Sequence, residues 1–195
     1  MRSPTVVSSH PLVRRSIGFG ALLLAMSIGA PSPSSAQASP HPFYVGGGAG
    51  VAIELDSYPT QFVLAEEVGY HLFGTNGGLF LGGAFAQGFG RDVVTLQLGA
   101  RIGYDIALYD GPDLAVMLAP SVAPGVVIAF ASVNTPFGRV SGDDAAFDFQ
   151  GALDVKLLLL DGALEVFLRP AAVDVFVGDG VAVRWNVLGG AAARF

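Results

Sequence analysis

The feature that most constrains this chain is a long alternation of apolar and polar residues from Val93 to Leu108. The even positions carry Val, Leu, Ala, Ile and Tyr, whereas the odd positions carry Thr, Gln, Arg and Asp between small residues. A period of two indicates a β-strand with one apolar and one polar face. Strands in soluble sheets usually have about five or six residues, and a tilted strand crosses a bilayer in about 9–11. The 16-residue pattern therefore predicts a transmembrane strand whose apolar face contacts lipid.

The first 38 residues have the composition of a cleaved secretory signal peptide. Arg2, Arg14 and Arg15 precede an apolar core at residues 17–30, and Ala36-Gln37-Ala38 is a small-residue cleavage site. We therefore expect residues 39–195 to form the mature, exported domain. Removing the leader takes away three of the ten basic residues and none of the sixteen acidic ones, which leaves a net charge of 7 − 16 = −9. This charge argues against binding to nucleic acid.

The composition also limits the chemistry that is open to the chain. It contains no cysteine, which excludes disulfides, thiolate catalysis and cysteine-ligated metal sites. The glycine-rich run Gly46–Gly50 lacks the Lys-Ser/Thr pair of a phosphate-binding loop, and the sequence shows no metal-ligand spacing. We expect no cofactor and no metal.

Similar alternation recurs through the rest of the mature chain. It is cleanest at Val181–Phe195, where two arginines and an asparagine occupy the polar face. At Phe43–Ile53 one face is rich in glycine, which in a narrow barrel leaves space for large side chains from the opposite wall. The pattern leaves the facing of Gly78–Gly90 open.

The segment Leu114–Gly138 has a competing interpretation, since it contains no charged residue and is long enough for a membrane-spanning helix. Pro120 and Pro124 would interrupt such a helix, and Val126–Ile128 is a β-branched run. Large residues at even positions and small ones at odd positions favour a strand, although proline is unusual in a barrel without an edge. The segment is therefore predicted as a strand, with the helix as the alternative.

One turn predicts which charged residues pair across neighbouring strands. Asp161-Gly162 is typical of a two-residue type I′ hairpin turn. Counting outward from this turn places Asp154 opposite Arg169, and Lys156 diagonal to Glu165. Opposite charges in such cross-strand positions stabilise a sheet by about 0.2–1 kcal/mol.

Three other features predict local irregularities. Glu66 and Glu67 are adjacent, so we expect Glu67 to face the interior and a bulge or tilt to occur near Glu66. Asp174 is out of phase with the rest of its strand. The longest connection is expected to be a loop at Ser132–Asp144, after the fifth strand.

Eight strands are counted between residues 43 and 195. The turns after strands 2, 4 and 6 are short, at Gly74–Gly77, Tyr109–Asp113 and Asp161-Gly162, as in outer-membrane barrels with short periplasmic turns. A closed barrel also satisfies every backbone group in lipid. The predicted fold is all-β: an eight-stranded antiparallel up-and-down transmembrane β-barrel.

The polar faces of these strands supply a candidate interior. We expect their charges to form a salt-bridged plug rather than to line a pore, because eight strands enclose a space that side chains just fill. These charged residues are Glu67, Arg101, Asp105, Asp148, Asp154, Lys156, Glu165, Arg169 and Arg184. The outward aromatic residues near strand ends predict interfacial girdles and are Tyr70, Tyr104 and Trp185.

The chain resembles the small eight-stranded outer-membrane barrels, which include the OmpA transmembrane domain and OmpX. The features that carry the resemblance are the leader, the repeats at Val93–Leu108 and Val181–Phe195, and the terminal Phe195. The resemblance covers residues 43–195 and implies a Gram-negative outer-membrane location. It also implies contact with outer-membrane lipids and lipopolysaccharide, and recognition of Phe195 by the barrel-assembly machinery. The external connections are shorter than those of OmpA-type proteins.

The predicted function is a structural or interaction role in the outer membrane, without catalysis. A porin-like narrow pore for small solutes or ions is the first alternative. A lipid-modifying enzyme on this scaffold would need a histidine with a nearby serine, but Phe73 lies two residues after His71. A soluble exported barrel that binds an apolar ligand would need an apolar lumen and a polar outer face, the inverse of the pattern at Val93–Leu108.

Overall fold

The computed structural model describes residues 41–54, 60–72, 77–111, 113–135 and 138–195. The predicted signal peptide and residues 74–76 of the predicted turn at Gly74–Gly77 lie outside these ranges. The described residues form eight strands: β1 Phe43–Glu54, β2 Gln61–His71, β3 Gly78–Phe89, β4 Val93–Asp110, β5 Leu114–Thr135, β6 Gly138–Leu159, β7 Leu164–Val177 and β8 Val181–Arg194. Each strand pairs antiparallel with the next, and β8 pairs back with β1. The predicted fold class is confirmed. No helix within the described ranges is long and apolar enough to span a membrane.

The alternation along each strand sorts side chains between an apolar outside and a polar inside. On β4, Leu98 is 60% exposed on the outer face, whereas Arg101 is 2% exposed in the interior. On β8, Trp185 and Val187 face outward while Arg184 and Asn186 are buried. The barrel is therefore inverted relative to a soluble protein, with its charged residues inside.

Glycines on the inner face make room for three large aromatic side chains. The ring of Phe167 lies over Gly48 and Gly190, where an added Cβ would overlap the ring or the neighbouring backbone. The ring of Tyr44 covers Gly69 in the same way, and the ring of Phe80 covers Gly103. Glycine on the inner wall therefore lets one bulky residue from another strand occupy the narrow lumen. Phe80 also settles the facing of β3, because it is buried while Leu81 is exposed.

Strand β5 accommodates two prolines without ending. The ladder between β4 and β5 skips Pro120 and Pro124, whereas the ladder between β5 and β6 continues through both. A proline has no N–H to donate, so each of them costs the bonds to one neighbour only. Both prolines lie on the outward, even-numbered side of β5. The strand interpretation of this segment is confirmed over its described residues, and the helix is excluded there.

The expected loop at Ser132–Asp144 is wrong. Residues Ser132–Thr135 pair with Gly138–Ser141, so β5 and β6 continue as a two-stranded ribbon. The ladder of β5 with β4 stops at Ala131, and that of β6 with β7 begins at Phe147. The two strands of the ribbon hydrogen-bond to each other, so their backbone groups are paired beyond the end of the barrel wall. The polar composition of this segment led us to expect a loop and did not indicate this pairing.

The β6–β7 connection contains the predicted turn at Asp161-Gly162, in which Ala163 N donates to Leu160 O at 3.0 Å, but the regular ladder ends one residue earlier on each strand. The last ladder pair is Leu159 with Leu164, and Leu160, Asp161 and Gly162 have φ values of 54°, 56° and 85°. A left-handed leucine costs about 1–2 kcal/mol, so a rule that looks for Asp-Gly did not anticipate it. The register nevertheless agrees with the prediction, since Lys156 pairs with Phe167.

Strand β7 changes phase at Pro170. The ladders on both of its sides shift register there, between Leu153 and Val155 on β6 and between Arg169 and Ala172 on β7. Before the bulge the odd residues Glu165, Phe167 and Arg169 face inward, and after it the even residues do. The bulge therefore brings Asp174, which the simple alternation placed out of phase, into the interior.

The bulge or tilt expected near Glu66 does not occur. Both ladders of β2 run through this position in unbroken register, with Glu66 between Gly47 and Phe85. Glu67 faces the interior as expected, and Glu66 is exposed on the outer wall. The strand thus keeps a charged residue on its apolar face instead of distorting to remove it.

Candidate functional site

The candidate site is the charged interior of the barrel, which divides into three clusters. The lower end is the one where the backbones of Phe43 and Phe195 hydrogen-bond to each other. The lower cluster contains His71, Asp105, Lys156, Glu165 and Arg194. The middle cluster contains Glu67, Arg101, Ser121, Asp154 and Arg169. The upper cluster contains Gln61, Gln97, Asp148, Asp174, Arg184 and Asn186.

The middle cluster joins five strands across the lumen. Arg101 on β4 donates to Glu67 Oε1 on β2 at 2.5 Å and to Asp154 Oδ2 on β6 at 2.6 Å. Arg169 on β7 donates to the same Glu67 oxygen at 2.6 Å and to Asp154 Oδ1 at 2.7 Å. Arg101 Nε also donates to Ser121 Oγ on β5 at 3.0 Å. Two arginines thus share two carboxylates, and the four charges close the barrel at this level.

The lower cluster is organised around Asp105. Its Oδ1 lies 3.1 Å from Lys156 Nζ, and its Oδ2 lies 2.8 Å from His71 Nε2. Lys156 also lies 3.4 Å from Glu165 Oε1. Arg194 Nη2 donates to His71 Nδ1 at 3.3 Å. A guanidinium can only donate, so Nδ1 is the acceptor and the ring proton that Asp105 accepts is on Nε2.

This arrangement occupies both nitrogens of His71. A hydrolytic triad needs one imidazole nitrogen directed at a nucleophilic hydroxyl. Here one nitrogen donates to Asp105 and the other accepts from Arg194, and the side chain is completely buried. The described residues also contain no group of three or more His, Asp or Glu placed to hold a metal ion.

The upper cluster is organised around Asp174 and Arg184. Arg184 donates from Nε at 2.9 Å and from Nη2 at 2.7 Å to Asp174 Oδ2, which also accepts from Asn186 Nδ2 at 2.6 Å. Arg184 Nη2 donates to Gln97 Oε1 at 2.7 Å, and Gln97 in turn donates to Asp148. The buried carboxylates of this cluster are therefore held by amides as well as by the arginine.

Aromatic rings separate the charged groups from one another. The Phe80 ring lies between clusters, with Lys156 Nζ 4.4 Å from its centroid and Arg101 Cζ 5.9 Å from it. Tyr44 packs edge-on against Phe80 at a centroid distance of 6.3 Å. Cations over ring faces gain about 0.5–1 kcal/mol at exposed sites and about 2 kcal/mol when desolvated. The rings thus stabilise the two cations and fill the lumen between them.

Small spaces remain between the side chains of the interior. One has a volume of about 30 Å³ between the upper and middle clusters, lined by Glu67, Gln97, Asp148 and Arg184 among others. This is room for about one water molecule. Another, of about 200 Å³, lies at the upper end between Thr95, Val127, Ala146 and Phe176.

The structure brings together all nine charged residues that the sequence placed in the lumen. Glu67 has a side chain that is 10% exposed, and the other eight are buried. Sequence reasoning missed several of their partners, namely Asp174, Gln61, Gln97 and Ser121, and did not pair His71 with Asp105. Pro170 was the available signal for Asp174, because a proline in a closed barrel indicates a bulge that shifts the phase.

The residues predicted for the surface lie on the outer wall. Tyr70 and Tyr104 are 38% and 48% exposed in the lower half, and Trp185 is 38% exposed in the upper half, where it pairs with Ile53. Phe43 packs edge-on against Tyr70 at 4.7 Å. The Phe195 side chain is 60% exposed. Their roles as girdle and assembly signal stay predictions.

Comparison with known proteins gives structural neighbours only. No protein-family model and no curated protein sequence matches the chain. Among solved structures, Neisserial surface protein A (NspA) matches with a TM-score of 0.51 and 14% identity, over 78% of this chain and 97% of NspA. The chain has the fold of the small eight-stranded outer-membrane barrels.

Two further solved structures match at lower similarity. The N-terminal barrel domain of Pseudomonas aeruginosa OprF has a TM-score of 0.47 and 12% identity, over 78% of this chain and 97% of that one. Ail, the attachment invasion locus protein of Yersinia pestis, has a TM-score of 0.44 and 14% identity, over 79% and 97%. At these identities the likeness concerns architecture, and function rests on the residues themselves.

Proposed function

We propose that this chain is an integral outer-membrane β-barrel with a structural or interaction role, no catalytic activity and a lumen closed by its own side chains. The observation that carries the proposal is the middle cluster, in which Arg101 and Arg169 bridge Glu67 and Asp154 across the barrel. A wall that is apolar outside and ionic inside supports a membrane location, because lipid accepts only apolar faces and fully paired backbone. The export signal at residues 1–38 and recognition of Phe195 by the barrel-assembly machinery are parts of this proposal.

The interior distances support a plug rather than a pore. Arg169 on β7 reaches Glu67 on β2 at 2.6 Å, so these two side chains span the lumen and leave no open path between them. A porin-like channel needs an interior wider than its side chains, which eight strands do not enclose.

The same wall argues against the soluble ligand-binding alternative. Such a barrel would expose polar residues and bury an apolar pocket, whereas here Leu98 and Leu108 are about 60% exposed and Arg184 is buried. Catalysis is disfavoured by the occupied nitrogens of His71. Outer-membrane lipids and lipopolysaccharide are the proposed surroundings of the apolar wall.

The test is planar-bilayer recording of the purified, refolded protein, together with an Arg169→Ala variant. The plug predicts no steady ion-selective conductance in the wild type, and at most brief openings in the variant, where one cation of the closure is removed. A steady wild-type conductance that Arg169→Ala or Arg101→Ala abolishes would establish the pore instead. Heat-modifiable migration on gels confirms folding in each preparation.

A further inference from the structure

Glu66 is a charged side chain in the middle of an otherwise apolar wall. The outward residues of β8, β1, β2 and β3 are apolar except for Glu66 and Gln87. On β2, Glu66 lies midway between the outward Phe62 and Tyr70, which are 51% and 38% exposed. No hydrogen bond or ion pair joins the Glu66 side chain to another of the described residues.

Such a position is unfavourable in lipid. The apolar band of an outer-membrane barrel is about 25 Å tall, and four residues of a tilted strand rise only about 10 Å, so Tyr70 at the interface places Glu66 near the bilayer centre. Ionisable groups at this depth are rare and normally have a partner or a function. The strand could have hidden Glu66 with a bulge, as β7 does for Asp174, but both ladders of β2 are regular here.

The wall beside Glu66 is unusually flat. Its direct neighbour on β1 is Gly47, which in turn pairs with Ala191 on β8, and the next outward pair is Ala49 with Gly189. Small residues on lipid-facing surfaces let two backbones approach closely, and polar side chains at such contacts hydrogen-bond between the partners.

The barrel itself does not require all of these outward glycines. A Cβ at the inward Gly48 would lie 2.8 Å from Gly189 O, a distance that forces a shift. At the outward Gly189 the nearest atom is Phe167 O at 3.6 Å, and at the outward Gly83 it is Val68 Cγ1 at 3.7 Å, both ordinary contacts. Internal packing explains the inner glycine row but leaves Gly83 and Gly189 free to carry a side chain.

We infer that the outer face of β8, β1, β2 and β3 is the contact surface for a second copy of this chain within the membrane. The inference rests on the proposed outer-membrane location. The face is self-complementary, because Glu66 offers a carboxylate acceptor and Gln87, diagonal to it across β2 and β3, offers an amide donor. A two-fold axis along the membrane normal brings each Glu66 to Gln87 of the other copy, and both polar groups leave the lipid.

The experiment measures energy transfer between barrels in lipid vesicles. The chain has no cysteine, so Asp161→Cys at the β6–β7 turn provides a single labelling site away from the proposed contact. Donor- and acceptor-labelled proteins are co-reconstituted and diluted with lipid. We expect transfer beyond the random-collision level, and we expect it to fall on dilution with the profile of a dimer.

Two substitutions and one control locate the contact. Glu66→Leu should weaken the dimer roughly three- to fifteen-fold, the range for single polar contacts within membranes. Gly189→Leu should abolish it sterically. Gly151→Leu on the opposite wall is the matched control, because a Cβ there meets nothing within 4 Å, and it should dimerise like the wild type.

The outcomes separate this inference from the proposed function. A protein that does not float with the vesicles overturns the membrane location and the dimer together. A protein that floats and is heat-modifiable, but whose transfer stays at the random level, overturns the dimer alone. A dimer that Glu66→Leu and Gly189→Leu leave unchanged overturns the assignment of this face.

Discussion

Arg169 on β7 and Glu67 on β2 meet across the lumen, with 2.6 Å between guanidinium Nη2 and carboxylate Oε1. The two residues are 102 positions apart in the chain, and they belong to strands that are not neighbours in the sheet. Their contact ties opposite parts of the wall together. The ion pair therefore links two strands that share no backbone hydrogen bonds, and we expect its loss to lower the stability of the whole barrel.

Arg169→Ala should lower the free energy of unfolding by about 3–5 kcal/mol, because it leaves Glu67 and Asp154 as buried carboxylates with one arginine to share. Urea unfolding in detergent micelles, followed by the fluorescence of Trp185, measures this change, since the chain has one tryptophan. A double-mutant cycle with Glu67→Ala should give a coupling energy of about 1–3 kcal/mol. A coupling near zero would mean that the two charges do not interact in the folded barrel.

Deleting Pro170 should leave the barrel able to fold. The deletion removes the extra residue of the bulge, so Arg169, Ala172 and Asp174 fall into one regular alternation and Asp174 stays beside Arg184 in the interior. Pro170→Ala is the matched control, because it keeps the residue count and should change stability by at most about 1 kcal/mol. The readout is heat-modifiable migration after refolding, and failure of the deletion variant to fold would contradict the assignment of Pro170 as the extra residue of the bulge.

The inner glycine row should not tolerate a side chain. In Gly48→Ala the new methyl group would lie 2.8 Å from Gly189 O and 3.2 Å from Phe167 Cζ, and overpacking of this kind costs about 1–3 kcal/mol. Gly151→Ala is outward with open space around it, and it should leave stability unchanged or raise it by about 0.5 kcal/mol. Urea midpoints of the two variants make the comparison. Equal effects would show that the inner wall is not closely packed.

Trp185 should lie at the membrane interface if the outward aromatics form girdles. Tryptophan is favoured there because its ring is apolar while its N–H remains solvated. Brominated lipids with the bromine near the headgroup should quench its fluorescence more strongly than lipids brominated near the chain end. Quenching that is strongest for the deep bromine would place Trp185 in the hydrocarbon core and remove it from the girdle.

The fold was largely predictable because the membrane imposes one simple rule on each strand. The alternation at Val93–Leu108 and Val181–Phe195 identified facing and class, and the count of eight strands is confirmed by the closed barrel. Alternation predicts the wrong facing where the backbone departs from a regular strand. Pro170 shifts the phase of β7 and so hid Asp174, and Leu160 adopts a left-handed conformation that no turn rule assigns to leucine.

The partners within the site were less predictable than its members. Alternation shows that His71 and Asp105 both face inward, but they are 34 residues apart on β2 and β4, which are not neighbouring strands. Their contact depends on how the closed barrel brings these two strands together, which alternation does not show. Register counting succeeded across the β6–β7 hairpin, where both predicted charge pairs, Asp154 with Arg169 and Lys156 with Glu165, are in contact. Glu66 was predicted wrongly for a different reason. We expected a bulge or tilt near Glu66 because charged residues normally face the interior, but β2 is regular there and Glu66 faces outward.

The most direct test of the account compares two adjacent residues of β4 in lipid vesicles. Single cysteines are introduced in separate variants, Leu98→Cys on the outer face and Gln97→Cys on the inner face, in a chain that otherwise has none. We predict that a fluorophore on the thiol of the Leu98→Cys variant is quenched by brominated lipid and not by iodide in the water. The thiol of the Gln97→Cys variant should react with label only after heat unfolding. Quenching of the outer-face label by iodide alone, or ready labelling of the inner-face thiol in the folded protein, would contradict an apolar wall around an ionic interior.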